Sequence, residues 1–133
     1  MEFRSITPED YDPVRQFLAE MGWQSRVSDP ELFRKLIEKS ERTVVALDDA
    51  SIVGFARALC DDVSNGYISM VAVVPDRRGQ GIGRKLIEYL IHDNPNITWV
   101  LRARPGSEGF WEKLGFIGSD MAMERVRTST HGD

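Results

Sequence analysis

Three closely spaced glycines, between an apolar run and an amphipathic segment, form the part of this sequence best suited to bind a ligand. Residues 71–74 read Val-Ala-Val-Val, and Gly79, Gly81 and Gly83 follow just before and within the start of a helix-like pattern. Glycines let the backbone turn sharply and approach a ligand without Cβ clashes, so successive N–H groups can point inward. The partial positive charge at a helix start also attracts phosphate. The spacing therefore predicts an anion cradle between a strand and a helix.

Basic side chains surround these glycines. Arg77, Arg78, Arg84 and Lys85 carry positive charge in a chain whose formal net charge is -4. Such a local excess favours phosphate binding, although an ordinary solvated basic face has the same composition. The Walker pattern of nucleoside-triphosphate sites is excluded, because it ends in Gly-Lys-Ser/Thr and this segment ends in Gly83-Arg84-Lys85. A dinucleotide fingerprint would need glycine at position 84, so that type of site is disfavoured.

The glycine segment resembles motif A of the GCN5-related N-acetyltransferases (GNAT family), whose pattern Arg/Gln-x-x-Gly-x-Gly/Ala is met by Arg78, Gly81 and Gly83. In that family an apolar strand precedes the motif, as residues 71–75 do here, and a helix follows it. Residues 109–116, Gly-Phe-Trp-Glu-Lys-Leu-Gly-Phe, are similar to the family's motif B. The two motifs stand in the expected order, and the resemblance extends over nearly the whole chain.

The resemblance implies a fold and a cosubstrate. The fold is a single-domain α/β (α+β) GNAT fold, in which a mixed, mostly antiparallel sheet with splayed central strands is flanked by about four helices. The cosubstrate is acetyl-CoA, and the residues implied to bind it are Val71, Ala72, Val73, Arg78, Gly79, Gln80, Gly81, Ile82, Gly83 and Arg84. The glycine bend would hold the pyrophosphate, and Arg84 or Lys85 could also reach a phosphate. The main chain of Val71 and Val73 would pair with the pantetheine arm as an additional strand does.

The implied activity is direct transfer of the acetyl group to a primary amine of a small molecule or peptide. The N–H of Val71 would donate to the thioester oxygen and stabilise the oxyanion that develops there. A lysine-type amine with a pKa near ~10.4 is protonated at neutral pH, so a base or a water chain is required. Asp62 and Tyr67 are the preferred candidates, with Asp61 and Glu108 as alternatives. Aspartates in such a polar stretch are also common turn caps, and a strand tyrosine is commonly a packed aromatic residue.

Two positions depart from the family's pattern. Trp111 stands where a tyrosine commonly protonates the departing thiolate, and Arg104 replaces a frequent asparagine. Indole has only an N–H donor, so the proton must come from another group or from water, or the thiolate leaves unprotonated. This departure keeps a second class of function open, a catalytically silent acyl-CoA-binding or regulatory module. Trp23 is a further aromatic residue that could form a wall of the acceptor pocket.

Alternating strand and helix signals supply the elements that would position these residues. Strands are predicted at residues 2–6, 43–47, 52–60, 67–74, 97–103 and 116–125, of which the second and third form a hairpin. Helices are predicted at residues 8–21, 30–37, 82–93 and 106–114, with a loop at residues 23–28. Helices that alternate with strands around a strongly apolar strand indicate a sheet covered by helices.

Length and composition indicate one globular domain. The chain has 133 residues, so residues 1–126 are expected to form a single GNAT domain and residues 127–133 a frayed tail. Net acidity gives no support to a nucleic-acid-binding face, and no apolar run is long enough to span a membrane. The single Cys60 excludes an intramolecular disulfide and favours the cytoplasm. His92 and His131 lack metal-ligand spacing, so no metal site is predicted. A homodimer is common in the resembled family.

Overall fold

The computed structural model of the chain describes residues 1–91 and 94–128. His92, His131 and most of the expected tail lie outside the described residues. Five strands form one sheet in the order β1-β2-β3-β4-β5. The strands are β1 (Glu2–Arg4), β2 (Arg42–Asp48), β3 (Ser51–Cys60), β4 (Asn65–Val73) and β5 (Thr98–Leu101). Neighbouring strands are antiparallel except for β4 and β5, which are parallel, so the expected mixed and mostly antiparallel sheet is confirmed.

The helices of the described residues begin largely where the sequence signals place them. They are α1 (Tyr11–Leu18), α2 (Gln24–Val27), α3 (Pro30–Glu38), α4 (Ile82–Ile91) and α5 (Glu108–Lys113). A 3₁₀ turn (Pro8–Asp10) leads into α1, a π-helical turn (Ala19–Trp23) joins α1 to α2, and a second 3₁₀ turn (Pro75–Arg77) follows β4. Asp29 caps the start of α3, because its carboxylate accepts the N–H of Glu31 at 2.9 Å.

Helices cover both faces of the sheet. On one face, α1 and α3 bury Leu18 and Phe33 against Phe55 of β3. On the other face, α4 buries Leu86 and Leu90. Each fully buried side chain of this size contributes about 1.5–3 kcal/mol relative to its exposure, so the two layers hold the sheet firmly. The central strands therefore form a rigid support for any site at their ends.

Strands β4 and β5 are paired over only part of their length. Asn65 lies opposite Thr98 and Ile68 opposite Leu101, where β5 ends. Because β4 continues to Val73, its residues 69–73 have no partner strand on that side among the described residues. This divergence is the splay that the family resemblance implies, and it opens a cleft beside β4.

Two predicted elements are wrong. Residues 116–125 form no strand, and Ile117, Met121 and Met123 in this stretch are 88%, 85% and 95% exposed. A strand needs a buried face to fix it, and these apolar side chains have none. The predicted loop at residues 23–28 is instead largely the helical turn α2. Gly22, with φ of 107°, redirects the chain there, and Val27 is fully buried, which holds the turn against the core.

Candidate functional site

A cavity of about 810 Å³ lies where β4 and β5 diverge. Its walls come from β4, the bend before α4, the segment after β5, helix α5 and the turn that joins α1 to α2. Of the residues predicted to bind acetyl-CoA, those that line the cavity are Val71, Ala72, Val73, Arg78, Gly79, Ile82 and Gly83. Gln80, Gly81 and Arg84 adjoin them in the chain without lining it. The predicted strand edge and the predicted cradle therefore share one space.

A β-bulge in β4 shapes the middle of the cavity. The register against β3 shifts there, so that Met70 and Val71 together lie opposite a single residue, Ala56. Met70 has φ of 59°, a left-handed conformation that is uncommon for a residue with a side chain. Such a bulge takes backbone groups out of the ladder and increases the local twist. It lies just past Ile68, the last β4 residue that pairs with β5.

The open edge of β4 presents backbone groups to the cavity. The N–H of Val74 donates to the carbonyl of Val53 in β3 at 2.9 Å. Since successive N–H groups of an extended strand point to opposite edges, those of Val73 and Val71 point to the open edge. The carbonyl of Val73 already accepts a hydrogen bond there from Nε of Arg78, at 3.2 Å. An extended ligand that paired with this carbonyl would displace the Arg78 side chain.

The bend between β4 and α4 is exposed and has backbone angles that glycine adopts readily. Gly79 and Gly81 have φ of 81° and 85°. The N–H of Lys85 donates to the carbonyl of Gly81 at 3.1 Å and closes the first turn of α4. The preceding N–H groups, those of residues 81–84, therefore have no acceptor within the helix. These groups and the positive end of α4 make the bend suited to an anion.

Most of the basic side chains predicted around the bend are engaged with neighbours. The contacts are those of Arg77 with Asp48 at 2.6 Å, Arg84 with Glu88 at 3.1 Å, and Lys85 over the ring of Phe3 at 5.9 Å. The hydrogen bond from Arg77 is the main cause that holds the pKa of Asp48 below its usual value. Arg77 and Arg78 line the cavity, whereas Arg84 and Lys85 do not.

Tyr67 lines the cavity, whereas the two aspartates predicted beside it do not. Asp62 is exposed and pairs with Arg42 at 2.9 Å. The carboxylate of Asp61 accepts the N–H groups of residues 63, 64 and 65, at 2.9, 2.8 and 3.0 Å. These backbone hydrogen bonds hold the pKa of Asp61 well below its usual range. Asp61 is therefore a turn cap, and Tyr67 is the candidate base that the fold brings into the cavity.

The motif B region supplies an aromatic wall. Trp111 lines the cavity and is 9% exposed. Its indole packs edge-to-face with Phe110 and Phe116, at centroid distances of 4.9 and 5.4 Å. The Glu108 carboxylate accepts the N–H of Gly106 at 2.8 Å, and this residue does not line the cavity. Trp111 is thus both a core residue and a wall residue.

The turn between α1 and α2 supplies the facing wall with the predicted Trp23, and α2 adds Arg26 to it. The guanidinium of Arg104 lies 4.4 Å from the centroid of the Trp23 ring, so the two walls meet there. The sequence does not single out Arg26, nor Arg57, which is only 5% exposed in β3. One charge within the apolar run of residues 52–60 is the sequence signal that marks Arg57.

Among residues 1–91 and 94–128, no group of three or more His, Cys, Asp or Glu side chains is arranged to hold a metal ion. No helix in the same ranges is long and apolar enough to cross a bilayer. Cys60 is buried, and its Sγ accepts the N–H of Asp62 at 3.3 Å.

Solved structures share this fold over nearly the whole chain. A GNAT-family acetyltransferase from Streptococcus pneumoniae superimposes with a TM-score of 0.78 at 20% identity, and the match covers 96% of this chain and 97% of that one. A predicted acetyltransferase from Clostridium acetobutylicum, solved with acetyl-CoA, gives a TM-score of 0.74 at 19% identity, covering 94% and 95%. At these identities the likeness establishes the fold.

Sequence comparison establishes the family. Rice serotonin N-acetyltransferase 2, a chloroplastic protein, is 36% identical over 122 residues, which cover 85% of this chain and 59% of the rice protein. The chain thus spans about three fifths of the length of the curated relatives it matches. The sequence model of the acetyltransferase (GNAT) domain matches residues 7–128. Since this match takes in both motifs and every wall of the cavity, the chain belongs to the GNAT family.

Proposed function

We propose that this chain is an N-acetyltransferase that transfers the acetyl group of acetyl-CoA directly to a primary amine. The observation that carries the proposal is the continuity of one cavity. Its floor is the open edge of β4, and one end is the exposed glycine bend before α4. A long ligand with amide groups in the middle and a diphosphate at one end matches that order of donors.

The residues present fit acetyl-CoA. A side chain at Gly79 would have to adopt φ of 81°, which residues with a Cβ rarely do, and the bend remains exposed rather than sealed. The backbone of Val71 and Val73 would hold the amide-bearing arm, and Arg78 would exchange its bond to the Val73 carbonyl for a phosphate. When bound, acetyl-CoA supplies an acetyl group activated as a thioester.

The chain's own groups support attack by an amine. The N–H of Val71 faces the open edge of β4. It would stabilise the negative charge that develops on the thioester oxygen when an amine attacks. A water held by the Tyr67 hydroxyl would take the proton that the amine loses, or Tyr67 would pass it on to water while donating its own proton. The indole of Trp111 cannot supply a proton in practice, so the thiolate is protonated by water or leaves as the anion.

Calorimetry and a thiol-release assay test this proposal together. We expect acetyl-CoA to bind the protein, and we expect release of free thiol when primary amines are added. The matched comparison is Gly81→Ala, which changes the bend, against Gly118→Ala, where an added Cβ meets nothing within 4 Å. Absence of acetyl-CoA binding by the folded protein would contradict the proposal.

A second function is favoured by one observation, the tryptophan at position 111. A catalytically silent module would bind acetyl-CoA and release no thiol with any amine, and the Tyr67→Phe variant would behave as the parent protein does.

The rice relative's name makes serotonin one acceptor to include in the screen of amines. We also propose that the protein is cytoplasmic and forms a homodimer. Gel filtration with light scattering tests whether it is a dimer.

A further inference from the structure

The cavity wall carries far more positive than negative charge. The charged residues that line it are Arg26, Arg77, Arg78, Arg102, Arg104 and Glu124. This composition is opposite in sign to the chain as a whole, whose formal net charge is -4. Arg77 pairs with Asp48 and Arg102 with Glu124. Positive charge nonetheless exceeds negative charge inside the cavity.

Part of this excess lies away from the glycine bend. Arg26 belongs to α2 and Arg104 follows β5, whereas the bend that suits the diphosphate follows β4. Arg104 lies over the indole of Trp23, on the wall that faces β4. Its guanidinium has no carboxylate partner among the described residues, and a cation–π contact does not neutralise its charge. Because the diphosphate is assigned to the bend, the charge that Arg26 and Arg104 add from these other elements needs a separate explanation.

Arg57 adds a buried positive charge directly behind this part of the cavity. It lies in β3 opposite Ser69, a cavity-lining residue of β4. Its side chain donates to the Ser40 hydroxyl at 3.1 Å, while its Nε is buried without a hydrogen-bond partner. Among residues 1–91 and 94–128, it makes no ion pair with a carboxylate. An uncompensated buried charge is costly to a fold, and an anion close by would reduce that cost.

Electrostatic interactions connect Arg57 with the cavity. Burial, followed by the charge of Arg26, lowers the pKa of Arg57 to about 10, and Tyr67 acts in the opposite direction. Arg26 and Tyr67 both line the cavity, as does Ser69 opposite Arg57, so Arg57 lies next to the cavity wall. At neutral pH the guanidinium stays protonated.

We infer that the acceptor amine carries an anionic group, a carboxylate or a phosphate, which Arg26 and Arg104 hold with support from Arg57. This inference rests on the proposed acetyltransferase function and names its substrate class. The wall would repel polyamines and aminoglycosides, because each brings several positive charges. Simple aromatic amines would bind Trp23 and Tyr67 while leaving the arginines without an anion.

The same charges help the acceptor to react. Nearby guanidinium groups disfavour the ammonium form of a bound amine and so lower its pKa. In the transfer, the amine nitrogen forms a bond to the acetyl carbon and the carbon–sulfur bond breaks. The electron pair leaves on sulfur, and the amine's proton passes to water, either directly or through the Tyr67 hydroxyl, which accepts it while donating its own proton to water. An anionic group on the acceptor keeps the molecule bound while its amine becomes neutral.

Matched pairs of amines test the inference, because the members of each pair differ by one anionic group. Suitable pairs are serotonin with 5-hydroxytryptophan, butylamine with 4-aminobutyrate, and ethanolamine with O-phosphoethanolamine. We expect at least one anionic member to have a kcat/KM about tenfold or more above that of its partner, equivalent to ~1.4 kcal/mol. The carboxylate and phosphate pairs then show which anion the wall prefers.

Variants assign the effect to the wall. We expect Arg104→Gln and Arg26→Gln to raise KM for the anionic member by about tenfold, with a smaller change in kcat and unchanged acetyl-CoA affinity in calorimetry. The control is Arg34→Gln, an exposed arginine of α3 that pairs with Glu31 and Glu38 outside the cavity. It should leave every parameter unchanged.

Equal or better turnover of the pair members that lack the anionic group overturns the inference. A preference for the anionic members that survives in both cavity variants also overturns it. If acetyl-CoA binds but no amine of the panel reacts, calorimetric titration of the pairs into the complex decides. Binding of the anionic members alone supports the inference, and binding of neither member overturns it. If acetyl-CoA itself does not bind, the proposed function fails and the inference fails with it.

Discussion

The candidate bases differ in their hydrogen-bond partners and in whether their side chains line the cavity. Tyr67 lines the cavity, Asp62 pairs with Arg42 outside it, and Asp61 caps its own turn. All three stand in one short stretch of sequence, so spacing alone could not rank them. The ranking depends on which way each side chain leaves the backbone, and Asp62 has φ of 64°, which redirects the chain there.

Separate substitutions of Tyr67 and Asp62 should affect kcat differently. We expect Tyr67→Phe to lower kcat by about tenfold or more, because it removes the hydroxyl from the cavity. We expect Asp62→Asn to leave kcat within about twofold and to cost at most ~1 kcal/mol of stability, as exposed ion pairs do. Steady-state kinetics and urea unfolding measure the two effects. A large loss of kcat in Asp62→Asn with Tyr67→Phe unaffected would reverse this assignment.

The Arg4–Asp10 ion pair should make stability depend on pH in the acid range. A hydrogen bond from Arg4 at 2.7 Å is the main cause that lowers the pKa of Asp10 to about 2. Since the folded pKa lies below the unfolded value of 3.8, the stabilisation is full above about pH 4 and is lost as pH falls toward 2. We expect Asp10→Asn to remove roughly 1–2 kcal/mol at pH 7 and much less near pH 2, measured by urea unfolding. An equal loss at both pH values would contradict this cause.

At the scale of elements, the glycine bend and the β4 bulge differ in how far sequence can foresee them. The bend could be predicted because glycine adopts positive φ readily, so the conformation at Gly79 and Gly81 depends on these residues and little on the rest of the chain. The bulge at Met70 could not, because it depends on how β4 aligns with β3, and Met70 is not a residue typical of that conformation. Likewise Arg57 is visible in the sequence as an isolated charge, while its burial depends on Ser40 and the helices that cover it.

Gly81→Ala should weaken acetyl-CoA binding and also cost some stability. A side chain at φ of 85° costs about 1–2 kcal/mol and would shift the bend toward another conformation. We expect the Kd for acetyl-CoA in calorimetry to rise severalfold and the Tm to fall by several degrees. Gly83 differs, because a Cβ there would lie 3.1 Å from the Phe110 ring, so its variants alter packing as well. Unchanged affinity in folded Gly81→Ala would contradict the cradle.

Gly66→Ala should destabilise the junction of β4 and β5. Gly66 pairs with Trp99, and a Cβ at this position would lie 2.3 Å from the indole ring. The ring has to move, and we expect a loss of about 1–3 kcal/mol in urea unfolding. Gly118→Ala serves again as the control, since space around that residue is open. Parent-like stability of Gly66→Ala would show that the indole moves without cost.

For the whole molecule, the notable property is that an acidic chain gathers arginines in its cavity. The net charge follows from composition and could be read from the sequence. The separation of charge arises only when the fold brings Arg26 and Arg104 into one cavity, with Arg57 opposite its lining residue Ser69. The predicted strand at residues 116–125 failed for a related reason. Its apolar pattern is local, whereas a strand needs a partner and a buried face that the rest of the chain supplies.

Salt should therefore weaken ligand binding without weakening the protein. The Debye length falls from about 10 Å at 0.1 M to about 3 Å at 1 M ionic strength, so added salt screens the positive charge at the glycine bend, where Arg77 and Arg78 line the cavity. We expect the Kd for acetyl-CoA to rise severalfold between low and high sodium chloride in calorimetry. The Tm of the protein alone serves as the control and should change little. A Kd independent of salt would contradict an electrostatic contribution from the cavity.

The unpaired edge of β4 also determines which substitutions the strand can accept. Its groups on that edge are peptide N–H and C=O, which every amino acid except proline provides in full. Met70 and Ala72 are buried among core side chains, whereas Val71 and Val73 are only partly buried. We therefore expect many side chains to be tolerated at positions 71 and 73. At positions 70 and 72 we expect only side chains of similar volume. Proline should be absent wherever the backbone N–H faces the cleft.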